Sequence, residues 1–74
     1  MAIKNIYRVY TNEPTNFIDK KVLIKVFTNK IKAIEYFDEL VRQTREEAKE
    51  TDDTLYVIME DINNDLIIKE EYFN

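Results

Sequence analysis

The sequence predicts an α+β fold, a mainly antiparallel four-stranded sheet with one long helix packed on one face. Three observations predict it: apolar residues at the spacing of a helix face over residues 30–50, four segments rich in β-branched and aromatic residues, and an Asn63-Asn64 pair between the last two of these segments. The predicted order is β-β-α-β-β, which one sheet with a helix across it accommodates most simply. At 74 residues the chain has the length of a single domain, 1–74.

The strand prediction depends on β-branched and aromatic residues bounded by turn signals. Pro14 fixes its own φ and restricts the residue before it, so we expect a turn or loop over residues 12–16. Asn tolerates positive φ better than most residues, so Asn63-Asn64 suits a two-residue hairpin. The predicted strands are 3–11, 21–27, 54–61 and 66–73.

The helix prediction depends on a 3, 4, 3, 4 spacing of one apolar face. Thr28 or Asn29 can cap its amino end, and polar residues 51–53 end it by competing for backbone hydrogen bonds. The face is formed by Ile34, Phe37, Val41, Thr44 and Ala48, and is widened by Ile31, Ala33 and Leu40.

Strict alternation along each strand assigns residues to the two faces of the sheet. We expect the helix side to hold the cleaner apolar set, with Met59 opposite Ile68 across the last hairpin. This helix-side set is Tyr7, Val9, Val22, Ile24, Val26, Leu55, Val57, Met59, Leu66, Ile68 and Tyr72. The other side then carries Ile6, Arg8, Tyr10, Leu23, Lys25, Phe27, Tyr56, Ile58, Ile67 and Lys69.

That second face is too apolar to be left wholly in water, and exposed apolar patches of this kind mark interaction sites. Its candidate interface residues, for a homodimer or a partner, are Tyr10, Leu23, Phe27, Tyr56, Ile58 and Ile67. Two alternatives stay open: the segment 12–20, with Phe17 and Ile18, folds over the face, or the register is off by one residue.

The composition excludes several classes of function. The chain has no Cys, His or Gly, which removes disulfides, thiolate zinc sites, the usual general base and glycine-rich phosphate loops. Asp61, Asn63 and Asp65 resemble the start of a calcium-binding EF-hand loop, but Leu66 stands where that loop needs Gly, and Tyr72 where it needs Glu. We expect no catalytic residues, no metal, no cofactor and no enzymatic activity.

Charge is distributed unevenly along the chain. Residues 1–34 carry seven basic and two acidic side chains (+5), whereas residues 35–74 carry four basic and thirteen acidic ones (−9). Lys30 and Lys32 begin the predicted helix and glutamates end it, which is the reverse of what the helix dipole favours. The candidate acidic contact residues are Glu35, Glu39, Glu46 and Glu50 on the outer helix face, with Asp61 and Asp65.

Carboxylates spaced along one helix face can take the place of phosphates in a basic groove, or can simply keep the helix face solvated. The acidic total argues against direct nucleic-acid binding, although a stacking platform could form on the open sheet face from Tyr10, Phe27 and Tyr56 with Arg8, Lys25 and Lys69. No apolar run is long enough to span a membrane or to form a signal peptide, so we expect a cytoplasmic protein. Abundant Ile, Lys and Asn, with AT-rich codons, indicate a low-GC bacterium or its phage.

The length, the acidic carboxyl half, this composition and the helix-on-sheet plan resemble the small acidic inhibitors that phages and mobile elements encode, of anti-CRISPR, anti-restriction and uracil-DNA-glycosylase-inhibitor type. The resemblance implies stoichiometric inhibition of a host protein that handles nucleic acid. No family motif is matched, so it transfers no site residues. The alternative is a small homodimeric structural or accessory protein that assembles through the exposed sheet face.

Overall fold

The computed structural model describes residues 5–14 and 19–73, and among these the side chains of all but residues 13, 14 and 19–24. Four strands and one helix follow the predicted order β-β-α-β-β, so the predicted α+β class is confirmed. The elements are β1 (Tyr7–Pro14), β2 (Asp19–Phe27), α1 (Lys30–Ala48), β3 (Leu55–Asp61) and β4 (Leu66–Phe73).

The strands form one antiparallel sheet in the order β2-β1-β3-β4. The central strands β1 and β3 pair from Tyr7–Asp61 to Thr11–Val57. Beyond that point the buried side chain of Asn12 continues the connection between the strands: its Nδ2 donates to the carbonyl of Thr54 (2.8 Å), and its Oδ1 accepts from the backbone N–H of Tyr56 (2.9 Å). This polar group is therefore satisfied in the interior.

The helix begins as the sequence predicts. Asn29 is the cap, because its side-chain oxygen accepts from the backbone N–H of Lys32 at 3.1 Å. Ala33, Phe37 and Thr44 are the buried residues of α1. Ile31, expected to widen the apolar face, is instead 70% exposed, because 3.6 residues per turn place it on the side of the helix away from Ala33 and Phe37.

The core lies between α1 and the two central strands. Tyr7, Val9, Val57 and Met59 on the sheet pack with Ala33 and Phe37 on the helix, and all are buried. Leu55 is buried as well. These five sheet residues were assigned to the helix side by alternation, and that part of the prediction is confirmed.

The predicted faces of β2 are wrong near its carboxyl end, and the reason is one extra residue. Val9 pairs with Lys25 but Tyr10 pairs with Leu23, which leaves Ile24 without a partner in β1. Such a bulge reverses the alternation for the residues beyond it. Phe27 and Lys25 therefore lie on the helix side, where the Phe27 ring is 5.3 Å from that of Tyr36. Val26 lies on the other side, 47% exposed.

The predicted faces of β4 are wrong only beyond Ile68, for the same reason; Leu66 and Ile67 lie on the predicted sides, and Ile68 packs against the core as expected. Met59 pairs with Lys69 rather than with Ile68, and Glu60 pairs with Ile67, so Ile68 is the extra residue. Beyond this bulge Lys69 lies on the helix side, where its Nζ is 3.3 Å from a carboxylate oxygen of Asp38. Tyr72, expected to face the helix, lies on the other side of the sheet as the cross-strand partner of Tyr56.

Candidate protein-binding surfaces

The outer surface of α1 carries the first candidate site. Glu35, Glu39 and Glu46 of α1 are exposed. Glu50 is exposed too, but it lies in the turn after the helix and not on the helix as expected, because α1 ends at Ala48. We call these four residues the acidic row. The residues that anchor the helix to the sheet, such as Ala33 and Phe37, lie on the opposite face. The row is therefore presented to solvent by a helix whose orientation is fixed by its buried side.

Two members of the row each have a cation three residues further along the chain. Glu39 accepts hydrogen bonds from Arg42 and from Nε2 of Gln43 (3.4 Å), and Lys49 Nζ lies 3.2 Å from a carboxylate oxygen of Glu46. The hydrogen bond from Arg42, aided by that from Gln43, lowers the pKa of the Glu39 carboxyl. Exposed pairs of this kind contribute little to stability, so they can be exchanged for contacts with a partner at small cost.

The other two members differ. Among the described residues 5–14 and 19–73, neither Glu35 nor Glu50 takes part in an ion pair. The acidic row is thus divided between its ends, where the carboxylates are unpaired, and its middle, where Arg42 and Lys49 partly neutralise it.

The charges of α1 oppose its dipole, as the sequence predicts. No acidic residue lies in the first turn, and Arg45 is the basic residue of the last turn, where Glu46 and Glu47 also lie. The helix dipole disfavours anions at this end by about 0.3–1 kcal/mol each. Glu50, Asp52 and Asp53 follow and are exposed. The helix carboxyl end is therefore more acidic than folding alone would favour.

Asp61 does not belong to this surface, contrary to the prediction. It is buried, and its carboxylate accepts from the backbone N–H of Asn64 (3.3 Å) and from its Nδ2 (2.8 Å). These bonds hold the β3–β4 turn, which spans residues 62–65 and places positive φ at Asp65 rather than at an asparagine. Asp61 is the carboxylate that stabilises this turn.

Asp65 is exposed but lies far from the carboxyl end of α1. The Asp61–Leu66 pair marks one end of the β3–β4 ladder and Leu55–Phe73 the other. The guanidinium of Arg45, in the last turn of the helix, lies 5.7 Å from the centre of the Phe73 ring, so the helix ends near the Leu55–Phe73 end of the ladder. The structure therefore does not bring Asp65 together with Glu46 and Glu50.

The sheet face away from the helix is the second candidate site. Tyr10, Tyr56 and Tyr72 form a ladder across β1, β3 and β4, with ring centres 6.5 and 5.8 Å apart. Arg8 donates to Glu60 through Nε (2.8 Å) beside this ladder and lies 5.5 Å from the centre of the Tyr10 ring. This face is therefore polar and aromatic in its central rows.

Its centre is not an open apolar surface, however. Tyr10 is only 3% exposed and Ile58 7%. Burial, together with the charge of Glu60, raises the pKa of the Tyr10 hydroxyl. Among the side chains that the structure describes, the large apolar ones exposed on this side are Val26, Ile67 and Tyr72, and they lie on the two edge strands.

One of the predicted interface residues lies on the other side of the sheet, and the side chain of another falls outside the described part of the chain. Phe27 lies on the helix side and leaves the proposed face. Leu23 pairs with Tyr10, but its side chain is outside the described part of the chain. Phe17 and Ile18, expected as a cover for this face, also lie outside the described residues.

Two cross-strand features were not predicted from the sequence. The Arg8–Glu60 pair and the Asn12 contacts join β1 to β3 across 52 and 44 positions of sequence. The opposite charges of Arg8 and Glu60 in two predicted strands could have indicated the ion pair. Only the register of β1 on β3, however, shows that the two residues are cross-strand partners.

In residues 5–14 and 19–73 no three His, Cys, Asp or Glu side chains are grouped so that they could hold a metal ion. No helix in the same residues is long and apolar enough to cross a membrane. Comparison with protein-family models, with curated proteins and with solved structures finds no match, so the function must be argued from the chain's own surfaces.

Proposed function

We propose that this protein is a non-catalytic protein-binding module that inhibits a host protein by docking its acidic helix surface onto a basic nucleic-acid-binding site. In this proposal the protein is a small phage or mobile-element inhibitor of anti-CRISPR or anti-restriction type that acts in the bacterial cytoplasm. The observation that carries the proposal is the exposure of all four glutamates of the acidic row: three lie on α1, and Glu50 lies just past its carboxyl end, where the helix dipole disfavours an anion.

The charge pattern supports this proposal because folding does not account for it. The residues of α1 that pack into the core, such as Ala33 and Phe37, are apolar, whereas the outer face carries glutamates at positions where other polar residues would serve equally well. Complementary charge on a partner would give fast, salt-sensitive association. The contact set we propose is the acidic row with Glu47, Asp52 and Asp53; Asp61 is excluded by its burial, and Asp65 by its distant place in the fold.

A homodimer through the sheet face is less well supported. Tyr10 and Ile58, the central residues of that face, are already buried within one chain, and Phe27 faces the helix. The exposed Val26 and Ile67 lie on opposite edges of the sheet, with Arg8 and Glu60 between them. Stable interfaces need a contiguous buried centre, which this arrangement does not offer.

The test is capture with the immobilised protein from a nuclease-treated lysate of a low-GC bacterium. We expect retention of a DNA- or RNA-binding protein at low salt, and its displacement by added duplex DNA or RNA, because nucleic acid and the acidic surface compete for one groove. The Glu46→Lys/Glu50→Lys variant should not retain it. The matched control, Glu70→Lys/Glu71→Lys, makes the same charge change on β4 and should retain it.

Retention that survives competing nucleic acid would contradict the proposal, since the partner's groove would then not be the contact. Equal retention by the wild type and by the Glu46→Lys/Glu50→Lys variant would contradict it as well.

A further inference from the structure

The two edge strands of the sheet carry opposite charge. β2 contains Lys20, Lys21 and Lys25 against Asp19, a net charge of +2, and β4 contains Glu70 and Glu71 against Lys69, a net charge of −1. Charged residues on an edge strand protect it from pairing with another copy of the same edge, because like charges then meet. They do not protect β4 from a β2 strand, where the charges attract.

The two edge strands also resemble each other in having a β-bulge. Each contains one bulged residue, Ile24 in β2 and Ile68 in β4. In the antiparallel register that sets Glu70 opposite Lys21 and Glu71 opposite Lys20, the two bulges fall at adjacent positions. The contact between β4 and β2 would therefore contain one irregular region instead of two.

This register also preserves the sides of the sheet. Cross-strand partners share a side, so Glu71, which pairs with Val57, is a helix-side position. By the same rule Lys25 is a helix-side position, because it pairs with the buried Val9. The proposed register sets Lys25 opposite Leu66, which is also a helix-side position because it pairs with Asp61, the partner of Tyr7. The sides agree before and after the bulges, so the helices of both copies lie on the same face.

We propose that β4 of one copy of this chain pairs with β2 of a second copy, extending the sheet from one molecule to the next. The contact is head-to-tail: each molecule keeps one free β2 edge and one free β4 edge, so association continues as an open chain at high concentration. It depends on opposite charges, so it weakens as salt is raised. This self-association uses the sheet edges and leaves the acidic row of α1 free.

Sedimentation velocity over a range of protein concentrations tests the proposal. We expect the average mass to rise with concentration at low salt and to return to that of one chain at high salt. Glu70→Lys/Glu71→Lys and Lys20→Glu/Lys21→Glu should each weaken association by about tenfold or more, since every contact would then join like charges. Circular dichroism verifies that both variants fold.

An equimolar mixture of these two variants is the decisive arm. In the mixture each β4 finds a β2 of opposite charge on the other variant, so association should return. The Glu46→Lys/Glu50→Lys variant, altered on the helix, should associate like the wild type. A wild type that stays monomeric at every concentration in low salt would overturn the proposal, as would two variants that associate no better together than apart.

Discussion

The two faces of α1 differ in what accounts for their residues. On the inner face, Ala33, Phe37 and Thr44 are buried, and their positions follow from contact with β1 and β3. On the outer face, Glu35 and Glu46 are exposed. Glu46, like Glu50 just after the helix, stands at the end where the helix dipole disfavours an anion. Packing therefore accounts for the inner face, whereas the outer face has charges that stability alone does not select.

The largest effect should come from the inner face. Phe37→Ala removes a ring that is 3% exposed in the core, and we expect a loss of about 3–5 kcal/mol in the free energy of unfolding. A small domain has little more than this to lose, so the variant should be largely unfolded at room temperature. Ile31 on the same helix is 70% exposed, so Ile31→Ala should change the free energy of unfolding by no more than about 0.5 kcal/mol.

Urea unfolding followed by circular dichroism measures both variants. Equal losses for Phe37→Ala and Ile31→Ala would mean that the two faces are not distinguished by packing, and the comparison would fail.

Reversing charges at the helix ends should have a smaller effect, and one that stabilises. Glu47→Lys puts a cation at the carboxyl end and Lys32→Glu an anion at the amino end, so each should raise the free energy of unfolding by about 0.3–1 kcal/mol at low salt. Glu35→Lys, beyond the first turn, serves as the control and should change it by no more than about 0.5 kcal/mol. Thermal unfolding at low and high salt measures this; a loss of stability in both terminal variants would contradict the account.

The smallest effect concerns the protonation of the acidic row. Because the hydrogen bond from Arg42 lowers the pKa of Glu39 in the folded state, this contact stabilises the fold above the pKa of an unfolded glutamate. The contribution is lost as the pH falls through the lower, folded-state pKa. Arg42→Ala should raise the pKa of Glu39 toward its ordinary value, as read from carboxyl chemical shifts in an NMR titration.

Arg45→Ala is the matched control for this titration, because Arg45 lies over Phe73 and not beside Glu39. A Glu39 pKa that is the same in the wild type and in Arg42→Ala would exclude the hydrogen bond as its cause.

Most of the fold could be predicted from the sequence, because each element has a local signal. The spacing from Ile34 to Ala48 marked the helix, and alternation marked the buried set around Val57 and Met59. The exposure of the acidic row followed from the same helical period. These features need only the residues within one element.

The errors arose where one strand meets another. A bulge depends on the fit between two strands, and nothing in the local pattern announces the extra residue at Ile24 or Ile68. Each bulge moved several residues to the opposite face, Phe27 and Tyr72 among them. Asp61 was misplaced for a related reason: a carboxylate that closes a turn has the same sequence signature as one exposed on the surface.

We propose that the acidic outer face of α1 serves a partner rather than the fold. The most direct test of this proposal is the affinity of the captured nucleic-acid-binding protein for the wild type and for Glu46→Lys/Glu50→Lys, by calorimetric titration at one low salt concentration. We expect the affinity to be at least about tenfold weaker in the variant, with an unfolding free energy equal to that of the wild type or higher. Equal affinity of the two proteins would contradict it.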